Sequence, residues 1–116
     1  MKTGKVWGTT ERVISTPLFE AHRLTIKPNM RCSMHKHQQK HNAFLVLSGE
    51  LFIEVKKNDY NLVDVTCLRS GEVCSVAPSE YHMFRTGAKP CVAFEFYYLS
   101  PLFDDIIRKD HGGRVR

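Results

Sequence analysis

From Glu20 to Ile26 the chain reads Glu-Ala-His-Arg-Leu-Thr-Ile, and similar short alternations of apolar and polar residues recur along most of its length. A period of two places successive side chains on opposite faces of an extended strand. Strands are expected over 11–15, 19–27, 31–36, 43–48, 50–56, 62–68, 73–77, 82–86 and 91–99. Turn signals separate them at Lys27-Pro28-Asn29, Ser48-Gly49, Lys57-Asn58-Asp59, Ser70-Gly71, Pro78-Ser79 and Gly87-Ala88-Lys89-Pro90. Short, evenly spaced strands predict an all-β barrel or sandwich, because closing a sheet removes its exposed edges. One helix is expected, started by Ser100-Pro101 and running over Leu102–Lys109, with Asp104 and Asp105 near its positive end and Arg108 and Lys109 near its negative end. The chain thus divides into an N-terminal arm (1–12), a barrel (13–100) and a short helix with a basic tail (101–116).

At 116 residues, with 42% hydrophobic and 25% charged residues, the sequence has room for one core and the composition of an ordinary globular domain. No apolar run is long enough to cross a membrane, and the opening MKTGKVWGTTER lacks the apolar stretch of a secretory signal, so cytoplasmic residence away from membranes is expected. Cys32, Cys67, Cys74 and Cys91 form no CxxC pair, which argues against a zinc knot or redox motif and for buried thiols. The net charge of +5 is spread along the chain and concentrated only in the tail from Arg108. Without a helix, finger or aromatic platform to accompany it, this charge does not make a nucleic-acid interface.

The candidate chemistry lies in the histidines. His35-Lys36-His37 puts two imidazoles at i and i+2, on one face of an extended segment and about 7 Å apart by strand rise. A third, His82, follows the Pro78-Ser79 turn, where a strand re-enters the barrel. One HxH pair alone is weak evidence; with His82 it becomes a candidate for a divalent metal site. The alternative is a polar cavity lined by three histidines that bind no metal.

These residues resemble the two motifs of the cupin superfamily. The first runs His35-x-His37-x4-Asn42-x6-Gly49, and the second runs from Gly71 to His82 with Ala77-Pro78-Ser79 at its turn. Lys5-Val6-Trp7-Gly8, His22-Arg23-Leu24-Thr25-Ile26-Lys27-Pro28 and Asp104-Asp105-Ile106-Ile107-Arg108 are similar to framework segments of the C-terminal domain of type II phosphomannose isomerases. The resemblance implies a single-domain jelly-roll β-barrel. It departs from the family where the first motif usually has Glu: here stands Asn42, with His41 beside it. Counting back from Gly49 turns Asn42 inward and His41 outward, while a slip in the loop after His37 would make His41 the fourth ligand.

The resemblance implies a metal-binding cupin enzyme acting on a small polar metabolite such as a sugar or sugar phosphate, in the manner of an isomerase. Imidazole donors suit zinc, iron and nickel better than calcium or magnesium, with manganese also a candidate. A three-histidine iron dioxygenase and a non-catalytic binding module are the alternatives. Glu95, within the apolar run Val92–Tyr98, must be paired, exposed at an edge or functional; turned inward, it is the candidate general base. Among the aromatic residues, most of them core, Phe44 and Tyr97 are the expected substrate contacts. His22 and His111 are expected at the surface, and Trp7 as the packing anchor of the arm. The resemblance also implies a homodimer, paired through strands or through residues 1–12.

Overall fold

The computed structural model describes residues 2–57, 62–99 and 105–115. Nine strands are present among them: β1 (Lys2–Lys5), β2 (Gly8–Ser15), β3 (Phe19–Ile26), β4 (His41–Ser48), β5 (Leu51–Lys56), β6 (Val63–Leu68), β7 (Val73–Val76), β8 (Tyr81–Arg85) and β9 (Cys91–Tyr98). They form a six-stranded sheet in the order β1-β2-β3-β9-β4-β7 and a three-stranded sheet in the order β6-β5-β8. Every pairing is antiparallel. This is the expected all-β jelly roll.

Alternation decides which side chains meet between the sheets. Leu24 and Ile26 on β3, Phe44 and Val46 on β4, and Leu51 and Ile53 on β5 are all buried there. Removing an aliphatic side chain of this size from water is worth about 1.5–3 kcal/mol, so this layer dominates the stability of the barrel. Trp7 packs edge-on against Phe84 at 5.0 Å between ring centres and anchors the N-terminal residues to the core. Those residues are themselves sheet: β1 pairs with β2 and β2 with β3, so the segment read as an arm extends the larger sheet.

Gly49 makes the tight turn from β4 to β5. Its φ of 81° lies in the left-handed region, and a Cβ there would sit 2.1 Å from the Pro90 carbonyl oxygen. Only glycine serves both conditions.

Two expectations require correction. Residues 31–36 do not form a strand; that segment pairs with β8 only at isolated bridges, Arg31–Arg85 and His35–His82. β8 already spends one edge on β5. Its other edge is tied by those two bridges and by the Phe84 N–H, which donates to the Cys32 Sγ at 3.2 Å, leaving the histidine pair on an irregular loop. The helix expected over Leu102–Lys109 is not seen: residues 105–109 carry no regular structure, and its beginning, like residues 58 and 59 of one expected turn, lies outside the described residues. No helix among the described residues is long and apolar enough to cross a membrane.

Candidate metal centre

His82 is fixed by regular structure, whereas His35 and His37 are held by the loop that precedes β4. His82 lies on β8 opposite Val55 and is 2% exposed. Reciprocal backbone hydrogen bonds join it to His35: the His35 N–H donates to the His82 carbonyl at 3.0 Å, and the His82 N–H donates to the His35 carbonyl at 2.8 Å. The Ser79 N–H donates to the His37 carbonyl at 2.7 Å, holding the second loop histidine to the turn before β8. Each of the three rings offers one nitrogen to a common point, and these nitrogens lie within 4.8 Å of one another.

The donor set fits a divalent cation. The Nε2 of His37 is buried without a hydrogen-bond partner among the described residues, which costs free energy unless a ligand satisfies it. The Nδ1 of His35 lies 2.7 Å from the Ser33 carbonyl and donates to it in the neutral ring, leaving Nε2 as the lone-pair nitrogen. His82 is more telling. Its Nδ1 faces the Glu80 carbonyl at 3.0 Å and its Nε2 faces the Asn42 Oδ1 at 3.0 Å. The Asn42 amide cannot turn to help, because its Nδ2 donates to the Phe96 carbonyl at 2.9 Å. A neutral imidazole carries one proton, so one of these two contacts sets acceptor against acceptor. A second proton would relieve it, but burial holds His82 below the usual histidine range. Burial and the neighbouring imidazoles do the same to His37. A metal cation among three lone-pair nitrogens and the Asn42 oxygen resolves the conflict.

The other residues singled out from the sequence separate clearly. Asn42 is 1% exposed and points inward, whereas His41 turns away and stacks on Tyr98 at 5.0 Å, outside the triad. Phe44 is fully buried in the core, in edge contact with Phe84 at 6.1 Å, and contributes packing rather than a substrate contact. Tyr97 and Glu95 both lie in the wall of a cavity of about 750 Å³, which His35 also borders. Burial raises the Glu95 carboxyl from 4.5 to about 7, against a partial offset from the side chains of Tyr97 and Asn42. Burial and the adjacent carboxylate push the Tyr97 hydroxyl well above the usual range.

His22, expected at the surface, is a second histidine, with His35, in this cavity wall. It pairs across the sheet with Glu95 and meets Tyr97 edge-on at 5.6 Å, while its Nε2 lies 3.4 Å from Glu20. The sequence held the signal: His22, Leu24 and Ile26 share one face of β3, and the latter two are core.

With this geometry in place, the likeness to known proteins becomes informative. The family of mannose-6-phosphate isomerase C-terminal domains matches residues 1–110. The chain belongs to that family. Among curated relatives of this cupin is a mannose-1-phosphate guanylyltransferase of Klebsiella pneumoniae, 30% identical over 112 residues. That match takes in 93% of the chain but 22% of the relative, so the cupin spans about a fifth of the curated proteins it matches. Among solved structures, the capsular polysaccharide assembling protein CapF of Staphylococcus aureus superposes with a TM-score of 0.77 at 20% identity, covering 90% of this chain and 29% of that one. The Cnp3 cupin domain of Schizosaccharomyces pombe superposes with a TM-score of 0.69 at 12% identity, covering 79% and 64%. At these identities the two structures establish the cupin fold.

Proposed function

We propose that this cupin holds a divalent ion on His35, His37 and His82, beside the Asn42 amide oxygen, and acts on a small sugar or sugar phosphate in the manner of an isomerase. The observation that carries the reading is the buried, unpartnered His37 Nε2 in a cluster whose other polar atoms are fixed by their neighbours. When bound, the ion supplies Lewis-acid polarisation of a carbonyl or hydroxyl oxygen. The chain's own residues provide the proton chemistry. Glu95, with its pKa near 7, is suited to take up or release a proton at neutral pH, which isomerisation between adjacent carbons requires. Tyr97 lies two residues along the same strand face and orients that carboxyl. The cavity, about 750 Å³, is of the size that encloses a small metabolite. Lys5 and Arg31 in its wall supply positive charge toward a phosphate group. The sugar-phosphate class also draws support from the family and from the guanylyltransferase relatives.

The donor set itself favours a second reading. With three imidazoles and no carboxylate in the donor cluster among the described residues, the site also matches the donor set of a three-histidine iron dioxygenase. A non-catalytic binding module is the remaining reading.

The deciding experiment is elemental analysis of tag-free protein beside the His35→Ala/His82→Ala double variant, followed by assay of the metal-loaded protein on aldose and ketose phosphates. Near-stoichiometric zinc, iron, nickel or manganese that is lost in the variant, with turnover of one of these sugars, is the expected result. Oxygen uptake with iron but not zinc would turn the assignment to the dioxygenase. Failure to take up any of these ions would refute the metal site.

A further inference from the structure

The registers of the larger sheet set its inward side chains in rows that cross the strands. One row runs from Arg12 on β2 through His22 on β3 and Glu95 on β9 to Phe44 on β4. The row beside it places Glu20 opposite Tyr97 and Tyr97 opposite Asn42. On the other side the row is Leu24, Ala93 and Val46, all core. Inward polar groups on β3 and β9 are therefore gathered in two neighbouring rows. His22 and Glu95 stand directly opposite one another in the first, a placement that brings Cβ atoms to about 4.5–5.5 Å.

His22 has the surroundings of a group that moves a proton. It lies in the cavity wall with its side chain 19% exposed, open enough to meet a ligand. Its Nε2 lies 3.4 Å from the Oε2 of Glu20, two residues back on the same strand face. The other carboxylate oxygen of Glu20 accepts from the Ser15 hydroxyl at 3.3 Å and faces the Arg12 guanidinium at 3.8 Å. The contact with His22 holds the Glu20 carboxyl below its ordinary range, so the partner of the imidazole is an anion. A carboxylate on one ring nitrogen fixes the orientation of the ring and turns the other nitrogen to the substrate. That nitrogen, Nδ1, makes no hydrogen bond among the described residues. His22 also lies outside the donor cluster, and Tyr97 makes edge contact with it at 5.6 Å and with His37 at 5.2 Å. The wall thus offers an acid–base group that the metal centre does not use.

We infer that His22, oriented by Glu20, is a second catalytic residue of the cavity, moving a proton between the two substrate oxygens while Glu95 moves one between the two carbons. The inference deepens the isomerase reading and rests on it. Interchange of a carbonyl and a neighbouring hydroxyl needs both transfers. Glu95 takes the proton from the hydroxyl-bearing carbon, the freed electron pair forms a carbon–carbon double bond, and the carbonyl pair moves to its oxygen, which gains a proton. His22 Nδ1 takes the proton from the hydroxyl and supplies the one gained by the former carbonyl oxygen. As the new carbonyl forms, the double-bond pair takes the proton from Glu95 at the other carbon. One C–H and one O–H bond are broken and remade, and no proton or electron is left over.

The test is turnover of mannose 6-phosphate, and of fructose 6-phosphate in reverse, by the metal-loaded full chain, followed by NMR. His22→Gln is expected to keep its metal and its fold by circular dichroism, and to lose about a hundredfold or more in kcat with little change in KM. His22→Ala should regain part of its kcat when imidazole is added to the buffer, which a merely structural role would not produce. Glu20→Gln should show a smaller loss that imidazole does not restore, because the ring is still present. A folded, metal-replete His22→Gln with kcat within about threefold of the unaltered chain overturns the role of His22 and leaves the isomerase reading standing. A loss in His22→Ala that imidazole does not relieve overturns that role as well. No turnover of either sugar by the unaltered chain defeats the isomerase reading itself, and the role of His22 falls with it.

Discussion

Replacing Glu95 by Gln should make the stability of the metal-free protein less sensitive to pH, and the size of the effect follows from its burial. The carboxyl titrates at about 7 in the folded chain and at its ordinary 4.5 when unfolded. Below pH 4.5 both states are protonated and the group contributes nothing. Between 4.5 and 7 the unfolded chain releases the proton while the folded chain keeps it, so stability falls as pH rises. Above 7 the full cost of a buried carboxylate is present, about 3 kcal/mol at 1.36 kcal/mol per pKa unit. Glutamine keeps the shape and cannot ionise. The difference in unfolding free energy between Glu95→Gln and the unaltered chain should therefore shift by about 3 kcal/mol in favour of the variant from pH 4.5 to pH 8. Any pH-independent effect of the substitution cancels in that comparison. Urea unfolding in the presence of a chelator, followed by tryptophan fluorescence at several pH values, measures it. A difference that stays flat across the range would show that the carboxylate is solvated or paired in the folded chain, and would remove Glu95 as a proton-moving group near neutral pH.

Two further substitutions probe the site and the frame. Asn42→Glu places a carboxylate beside three neutral imidazoles; divalent-ion affinity measured by competition with a chromophoric chelator should rise at least tenfold, about 1.4 kcal/mol, while the metal-free variant loses stability because the added charge is buried next to Glu95. Gly49→Ala forces an L residue to a φ of 81° and drives its Cβ into the Pro90 carbonyl. It should cost about 3 kcal/mol in chemical denaturation, with the metal affinity of the remaining folded protein unchanged.

Most of the barrel was legible because alternation reports directly on which side of a sheet a residue lies. It failed where the ladder itself is incomplete. Residues 31–36 alternate as a strand does, yet they pair with β8 at two bridges only, and local pattern carries no information on how many partners a strand will find. The site was legible to the level of its histidines. Spacing brought His35, His37 and His82 together, and parity turned Asn42 inward and His41 out. Phe44 and His22 were harder: both point inward and both stand in register with Glu95, Phe44 on β4 and His22 on β3. Phe44 is enclosed against Phe84, whereas His22 lies in the cavity wall. Which part of such a row is filled depends on how strands from distant parts of the chain are packed and staggered, which alternation does not encode.

β9 shows what that stagger protects. Its odd-numbered residues, Cys91, Ala93, Glu95 and Tyr97, face inward, and its even-numbered residues Val92, Phe94, Phe96 and Tyr98 face out. The strand is thus read in two frames, one for the cavity and one for the outer surface. A single-residue deletion ahead of Glu95 would exchange the frames, putting phenylalanine where the carboxylate stands and a charge on the apolar face. Substitutions can alter either frame alone, but insertions and deletions cannot, so lineages of this protein can vary the chemistry of β9 while its length between the Gly87–Pro90 turn and Tyr98 stays fixed.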